Sequence, residues 1–198
     1  MLAMPQTHRE RALLLATGQV TSYGSGTGVD DGALKKGIVK AYTILTAGQY
    51  AGTTNITINS KTDAHSNNCV EDNNTGLMWS RKQAASVGPN SNGTIPWTTN
   101  VNGEGIFPYV AAANAALLAG YNDWRIPNIH ELGSLVDEEA PTGAPNAAFT
   151  SFTLSLINSS NTDMGTITKC LYWSFDLGIP GTAPKTSNRF CLLVRGGR

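Results

Sequence analysis

The chain has 198 residues, of which 40% are apolar and only 14% charged, against about a quarter charged in an ordinary soluble domain. Its 14 Lys and Arg balance 14 Asp and Glu, giving a formal net charge of zero, which argues against a nucleic-acid binder with its basic face or stripe. The length suits one full core, and low charge with abundant Gly, Asn, Thr and Ser is the look of a loop-rich extracellular or virion protein.

Arg9 and Arg11 precede a short apolar run over residues 12–16. That run is too short for a signal-peptide core or a membrane span, so residues 1–16 read as an N-terminal tail and no membrane span is expected. Residues 17–60 read as an extended, turn-rich lead-in. Asp30-Asp31-Gly32 is a turn signal, and the GSGTG piece at 24–28 lacks the Gly-Lys-Ser/Thr of a phosphate loop. Asn55 to Asn59 alternates as a strand would.

The run CVEDNNTGLMWSR (69–81) predicts a hairpin, with a tight turn over Asp72 to Gly76 and Leu77-Met78-Trp79 as a buried strand. Residues 86–105 then form a long loop around Trp97, either functional or an insertion packed by that ring. Pro108 to Leu118 predicts a helix closed by Gly120, and its alanines imply close packing, with the helix beginning at Asn128 as the expected partner. Between them lies GYNDWRIPNIHELGSLVD (120–137). Asn128 and Glu131 have capping-box spacing, and Ile129, Leu132, Leu135 and Val136 give one apolar face. The acidic residues 137–139 end that helix, and 140–168 reads as irregular around Pro141, Pro145, Phe149 and Phe152. The ending reads as a strand (Cys170 to Ser174), a loop (about Phe175 to Ser187) and a last strand (Arg189 to Arg195).

Cys69, Cys170 and Cys191 leave at least one cysteine outside any bridge, and none sits in a CxxC or Cys/His cluster, which argues against zinc. Cys170 and Cys191 could bridge if the C-terminal strands bring them together; buried thiols are the other reading.

Four pieces in order, DNNTGLMW (72–79), AGYNDWRIPNIHELGSLVD (119–137), YWS (172–174) and VRGG (194–197), resemble the Lcl C-terminal domain family of collagen-like adhesins. The resemblance extends over 17–198, with a family core at 69–198, and implies one α+β domain of C-type-lectin-like fold. That means a small twisted antiparallel sheet, two helices and long irregular loops, related to formylglycine-generating enzymes. Variable proteins of diversity-generating retroelements look similar too, and the stretch after Trp173 sits where their variable region would lie. No Lys, Glu, Gln, Met or Trp occurs from Ser174 to Pro184, as adenine-directed mutation of AAC or AAT codons would leave it. Leu193 stands where many members have a cysteine, so no disulfide is carried across.

Catalysis has little support. His8, His65 and His130 have no triad companion at recognisable spacing, and the cysteines lack the close pair that holds copper in formylglycine-generating enzymes. Asn122-Asp123 beside Trp124 reads as a structural turn, since the carboxylate and amide cluster of a calcium-dependent sugar site is missing. No catalytic residue, metal or cofactor is therefore expected.

The expected function is non-enzymatic ligand binding, with a protein or glycan on a cell surface as partner. The site residues are Tyr172, Ser174, Phe175, Asp176, Leu177, Pro180, Thr182, Lys185, Ser187, Asn188, Arg189 and Phe190, a mixture of apolar anchors and polar contacts like that of a paratope. Trp79, Trp124, Arg125 and Trp173 are the expected scaffold. An adhesin of fixed specificity, glycans included, is the alternative, and a formylglycine-generating-type oxidase a remote one.

Overall fold

The computed structural model describes residues 37–45, 55–58, 61–64, 69–80, 94–101, 103–137, 147–149 and 156–196, with residues 16, 19, 21, 22, 30 and 139. All of the N-terminal tail but Ala16, most of the lead-in, residues 86–93, most of 140–155, His8 and His65 lie outside them.

Strands dominate among the described residues, where the expected single sheet is replaced by a four-stranded and a three-stranded sheet, with a two-stranded hairpin apart from both. The first contains β1 (Tyr42–Leu45), β4 (Cys69–Asp72), β5 (Leu77–Ser80) and β9 (Val194–Gly196), in the order β1-β4-β5-β9 with every pair antiparallel. A separate hairpin joins β2 (Asn55–Ile58) to β3 (Lys61–Ala64). The β4–β5 turn forms as DNNTG predicts. The Asp72 carboxylate is buried but fully used: Oδ1 accepts from the N–H groups of Asn74 (2.9 Å) and Thr75 (3.3 Å), and Oδ2 from the Thr75 hydroxyl (2.7 Å). Gly76 takes φ 72°, where a side chain would be strained.

Helix α1 (Ile106–Ala115) begins two residues before Pro108, which leaves the proline in the first turn, where no N–H is needed. Its buried face is Ile106, Tyr109 and Ala113. The expected packing against the second helix is not found. That face instead joins Cys69, Met78, Ile95, Trp124, Cys191 and Leu193 in one core cluster.

Beyond α1 the chain turns sharply, with positive φ at Leu117, Ala119 and Gly120. The turn delivers Trp124, whose indole N–H donates to the Leu118 carbonyl at 2.8 Å. The Asn114 side chain clamps the Trp124 backbone on both sides, accepting from its N–H (2.8 Å) and donating to its carbonyl (2.9 Å). Arg125 then exchanges both backbone hydrogen bonds with Val194 at 2.9 Å.

Helix α2 (Ile129–Ser134) carries the predicted capping box. It is shorter than its apolar pattern, because Leu135 and Val136 stay buried after the helical hydrogen bonding stops. Its face joins Val70, Trp79, Phe149 and Ile157 in a second cluster.

The other sheet is β6 (Leu156–Thr162), β7 (Lys169–Ser174) and β8 (Ile179–Pro184), antiparallel in that order. It corrects two expectations. The segment expected to be irregular (140–168) contains strand β6, hidden in the sequence because LINSSNT is polar. Its Asn158 and Ser159 are buried, the first donating to the Ile95 carbonyl (3.3 Å) and the second to that of Leu171 (2.8 Å). The expected loop from Phe175 to Ser187 is a hairpin: a turn at 175–178, then β8, then a second turn.

The last strand is also shorter than expected. Arg189 and Phe190 bridge to Ile95 and Ile157, and only Val194–Gly196 enters a sheet. From 191 onward the side chains alternate, Cys191 and Leu193 into one cluster, Leu192 and Val194 into the other. All three cysteines are buried thiols.

Candidate functional site

The β7–β8 hairpin is held from both sides. Helix α2 packs on one face of the sheet, close enough that a Cβ on Gly133 would come within 3.0 Å of the Trp173 indole. Residues 94–98 line the other end. Ile95 and Arg189 exchange backbone hydrogen bonds (2.9 and 3.1 Å), and the Lys185 carbonyl accepts from the N–H groups of Trp97 (2.9 Å) and Thr98 (3.1 Å).

Along β7, Cys170, Tyr172 and Ser174 share one face, and Leu171 and Trp173 the other. Tyr172 pairs with Gly181 and its ring lies across it: a Cβ there would lie 2.5 Å from the ring, so any side chain would push the ring aside. The Arg189 guanidinium lies over the same ring at 4.4 Å. Lys185 places its ammonium 4.1 Å from the centre of Trp97, which meets Phe107 edge-on at 4.8 Å. Trp97 is fixed in turn by its indole N–H, which donates to the Ser159 carbonyl at 2.9 Å. Burial pushes the Cys170 thiol up, and the charges of Arg189 and Lys185 pull the other way, so both cations act on one spot.

The twelve expected site residues therefore separate. Tyr172, Lys185 and Arg189 come together with Trp97. Asp176 and Leu177 stand at the hairpin tip, Leu177 67% exposed. Pro180 and Thr182 are exposed on β8 opposite Trp173 and Leu171, on the face away from Tyr172. Ser187 closes the second turn through its N–H to the Pro184 carbonyl (2.9 Å), beside exposed Asn188.

Two residues leave the surface set, and a third is tied to the core. Phe175 is fully buried in the second cluster, 6.5 Å from Trp173, because the tight turn folds it inward. Ser174 is buried and donates to the Asp176 carboxylate. Phe190 is half-buried against the second cluster, and its backbone bonds to Leu156 (3.1 Å) and Asn158 (3.0 Å).

The scaffold residues have structural work. Trp79 and Trp124 are buried. Arg125 grips Glu131 with two nitrogens (2.8 and 2.6 Å), while Glu131 also accepts from the Asn128 N–H (2.8 Å). Arg195, of the VRGG piece, stacks on Tyr121 at 3.5 Å and binds Asp123 through Nε (2.7 Å) and Nη2 (3.3 Å), which accounts for the Asn-Asp turn. Trp97, Phe107 and Ile179 belong to the surface but were not among the expected site residues. The alternation of β8 could have pointed to Ile179, but the pairing of Trp97 with Lys185 spans 88 positions and leaves no local signal.

Among the described residues no group of three His, Cys, Asp or Glu could hold a metal ion. No described helix is long and apolar enough to cross a membrane. The family model of the Lcl C-terminal domain matches residues 68–195. No curated protein and no solved structure matches the chain.

Proposed function

The chain belongs to the Lcl C-terminal domain family, and from that premise we propose that it is a non-enzymatic, adhesin-like binding domain. On this reading the fold is C-type-lectin-like and the domain works at a cell surface, in secreted form or on a virion. Its ligand surface is the β7–β8 hairpin with the turn that follows.

One observation carries the reading: the division of labour within residues 172–190. Buried Ser174 and Phe175 and the bridged backbone of Arg189 and Phe190 anchor the stretch. Leu177, Ile179, Thr182 and Asn188 stand outside the core. Such positions can carry binding while buried ones carry stability. A retroelement variable protein would exploit that division by changing the exposed positions alone.

A second reading, an adhesin of fixed specificity, is favoured by the interlock of Gly181, Tyr172 and Arg189, since a side chain at Gly181 would displace the ring on which Arg189 stacks. An imperfect DNA repeat of the last coding segment near the gene, differing mainly at adenines, separates the two.

The test of the binding surface is a variant with Leu177, Ile179, Thr182 and Asn188 all replaced by serine. Binding to an immobilised host-surface extract is expected to fall at least tenfold at an unchanged melting temperature. Unchanged binding contradicts the assignment of this surface.

A further inference from the structure

We propose that Lys185 and Arg189 recognise carboxylates on an acidic segment of a protein ligand. The inference rests on the binding-surface reading and names the chemistry of what the surface takes.

Two cations, each stacked on an aromatic ring, lie there with no counter-charge among the described residues. Elsewhere Arg125 and Arg195 each close a two-pronged bond on a carboxylate. Among the described residues the Arg189 side chain meets the ring of Tyr172, and its Nε and Nη1 are buried there with no hydrogen-bond partner. Among the described residues the Lys185 ammonium has the ring of Trp97 as its one partner. Stacking on an aromatic offsets part of the desolvation of a cation but satisfies none of its N–H donors. A carboxylate supplies both the charge and the acceptors, and the planar guanidinium fork matches it geometrically. On this proposal ligand binding turns the Arg189 side chain off Tyr172, so that its idle donors meet the carboxylate.

The same geometry selects a protein over a sugar. In the absence of a metal, a sugar commonly lays an apolar ring face on an open aromatic. Here Trp97 is engaged by Lys185 and Phe107, Tyr172 by Arg189 and Gly181, and Trp173 by Gly133. What lies open nearby is aliphatic and aromatic edge. Phe107 is 48% exposed, and Met164 and Ile167 protrude from the β6–β7 turn, which the Lys185 N–H joins at the Thr168 carbonyl (3.0 Å). Apolar side chains around an arginine are the composition of a protein–protein contact.

The test is an NMR titration at low salt with the peptide Glu-Leu-Glu-Leu, compared with an oligogalacturonate of equal charge. The peptide is expected to shift the resonances of residues 94–98 and 185–190, to bind more tightly than the oligogalacturonate, and to weaken as salt rises. K185Q/R189Q is expected to lose at least tenfold in affinity, and K185Q alone at least threefold should the double variant fail to fold. Unchanged affinity in K185Q, or equal or tighter binding of the oligogalacturonate, overturns the proposal. If the four-serine variant loses extract binding while the peptide fails to bind the native chain, the carboxylate inference falls and the binding surface stands. If extract binding survives in that variant, the surface assignment falls, whatever the peptide does.

Discussion

Glu131 ties the segment WRIPNIHEL together by accepting from both Arg125 nitrogens and from the Asn128 N–H. Burial works to raise its pKa, but the hydrogen bonds from Arg125 and the Asn128 N–H outweigh it and hold the carboxyl below its ordinary 4.5. A carboxyl depressed on folding stabilises the fold fully above its unfolded value and stops doing so as pH falls through the folded one. Glu131→Gln should therefore cost about 1–2 kcal/mol near neutrality, the scale of a helix cap with a charged hydrogen bond. That difference should shrink as the pH of urea melts is lowered below 4.5. A difference constant from pH 7 to pH 3 would mean that shape, not charge, is what Glu131 supplies. The Arg195–Asp123 pair has comparable geometry, yet Asp123 is half-exposed, so Arg195→Ala should cost no more than about 1 kcal/mol through the ion pair.

At the scale of elements, the C-terminal hairpin decides the account. Phe175 and Leu177 are two residues apart in a stretch that reads from sequence as one loop, yet one is core and the other tip. Phe175→Ala should cost about 3–5 kcal/mol and Leu177→Ser less than about 0.5 kcal/mol, readable as melting temperatures. Similar losses at both positions would put the tip in the core. Strand β8 was illegible because IPGTAP carries two prolines, which normally argue against a strand. They are tolerated because β8 is the edge of its sheet, and both prolines occupy positions that turn their backbone nitrogens away from β7. Only the Thr182 N–H among the outward-facing positions 180, 182 and 184 is left to donate, which guards the edge against strand addition. Pro180→Val with Pro184→Val should restore that ladder and cause concentration-dependent association in sedimentation. A variant that stays unassociated at high concentration contradicts this role. By contrast, the β4–β5 turn and the cap of α2 were legible because each is fixed by a few neighbouring residues, Asp72 to Gly76 and Asn128 to Glu131.

Across the whole molecule, what the sequence withheld is long-range. The alanines of α1 signalled close packing but not their partner, which is the Trp124 cluster and not α2. The polar strand β6 is stabilised by hydrogen bonds to Ile95 and Leu171 that no periodicity announces. The candidate surface was legible as a stretch, because YWS and VRGG bracket it, but its true composition was not. Phe175 belongs to the core, and Trp97 and Phe107 arrive from a loop far upstream. The central claim is that a fixed scaffold, held by Trp79, Trp124, the Arg125–Glu131 clasp and Phe175, carries an exposed set that can change without it. The most direct measurement is the melting temperature of chains in which Leu177, Ile179, Thr182 and Asn188 are randomised together. The account predicts that most such chains melt cooperatively within about 4 °C of the parent, since exposed substitutions cost little. A general fall of more than about 10 °C, or loss of cooperative melting, would contradict it, because these positions would then belong to what holds the fold together.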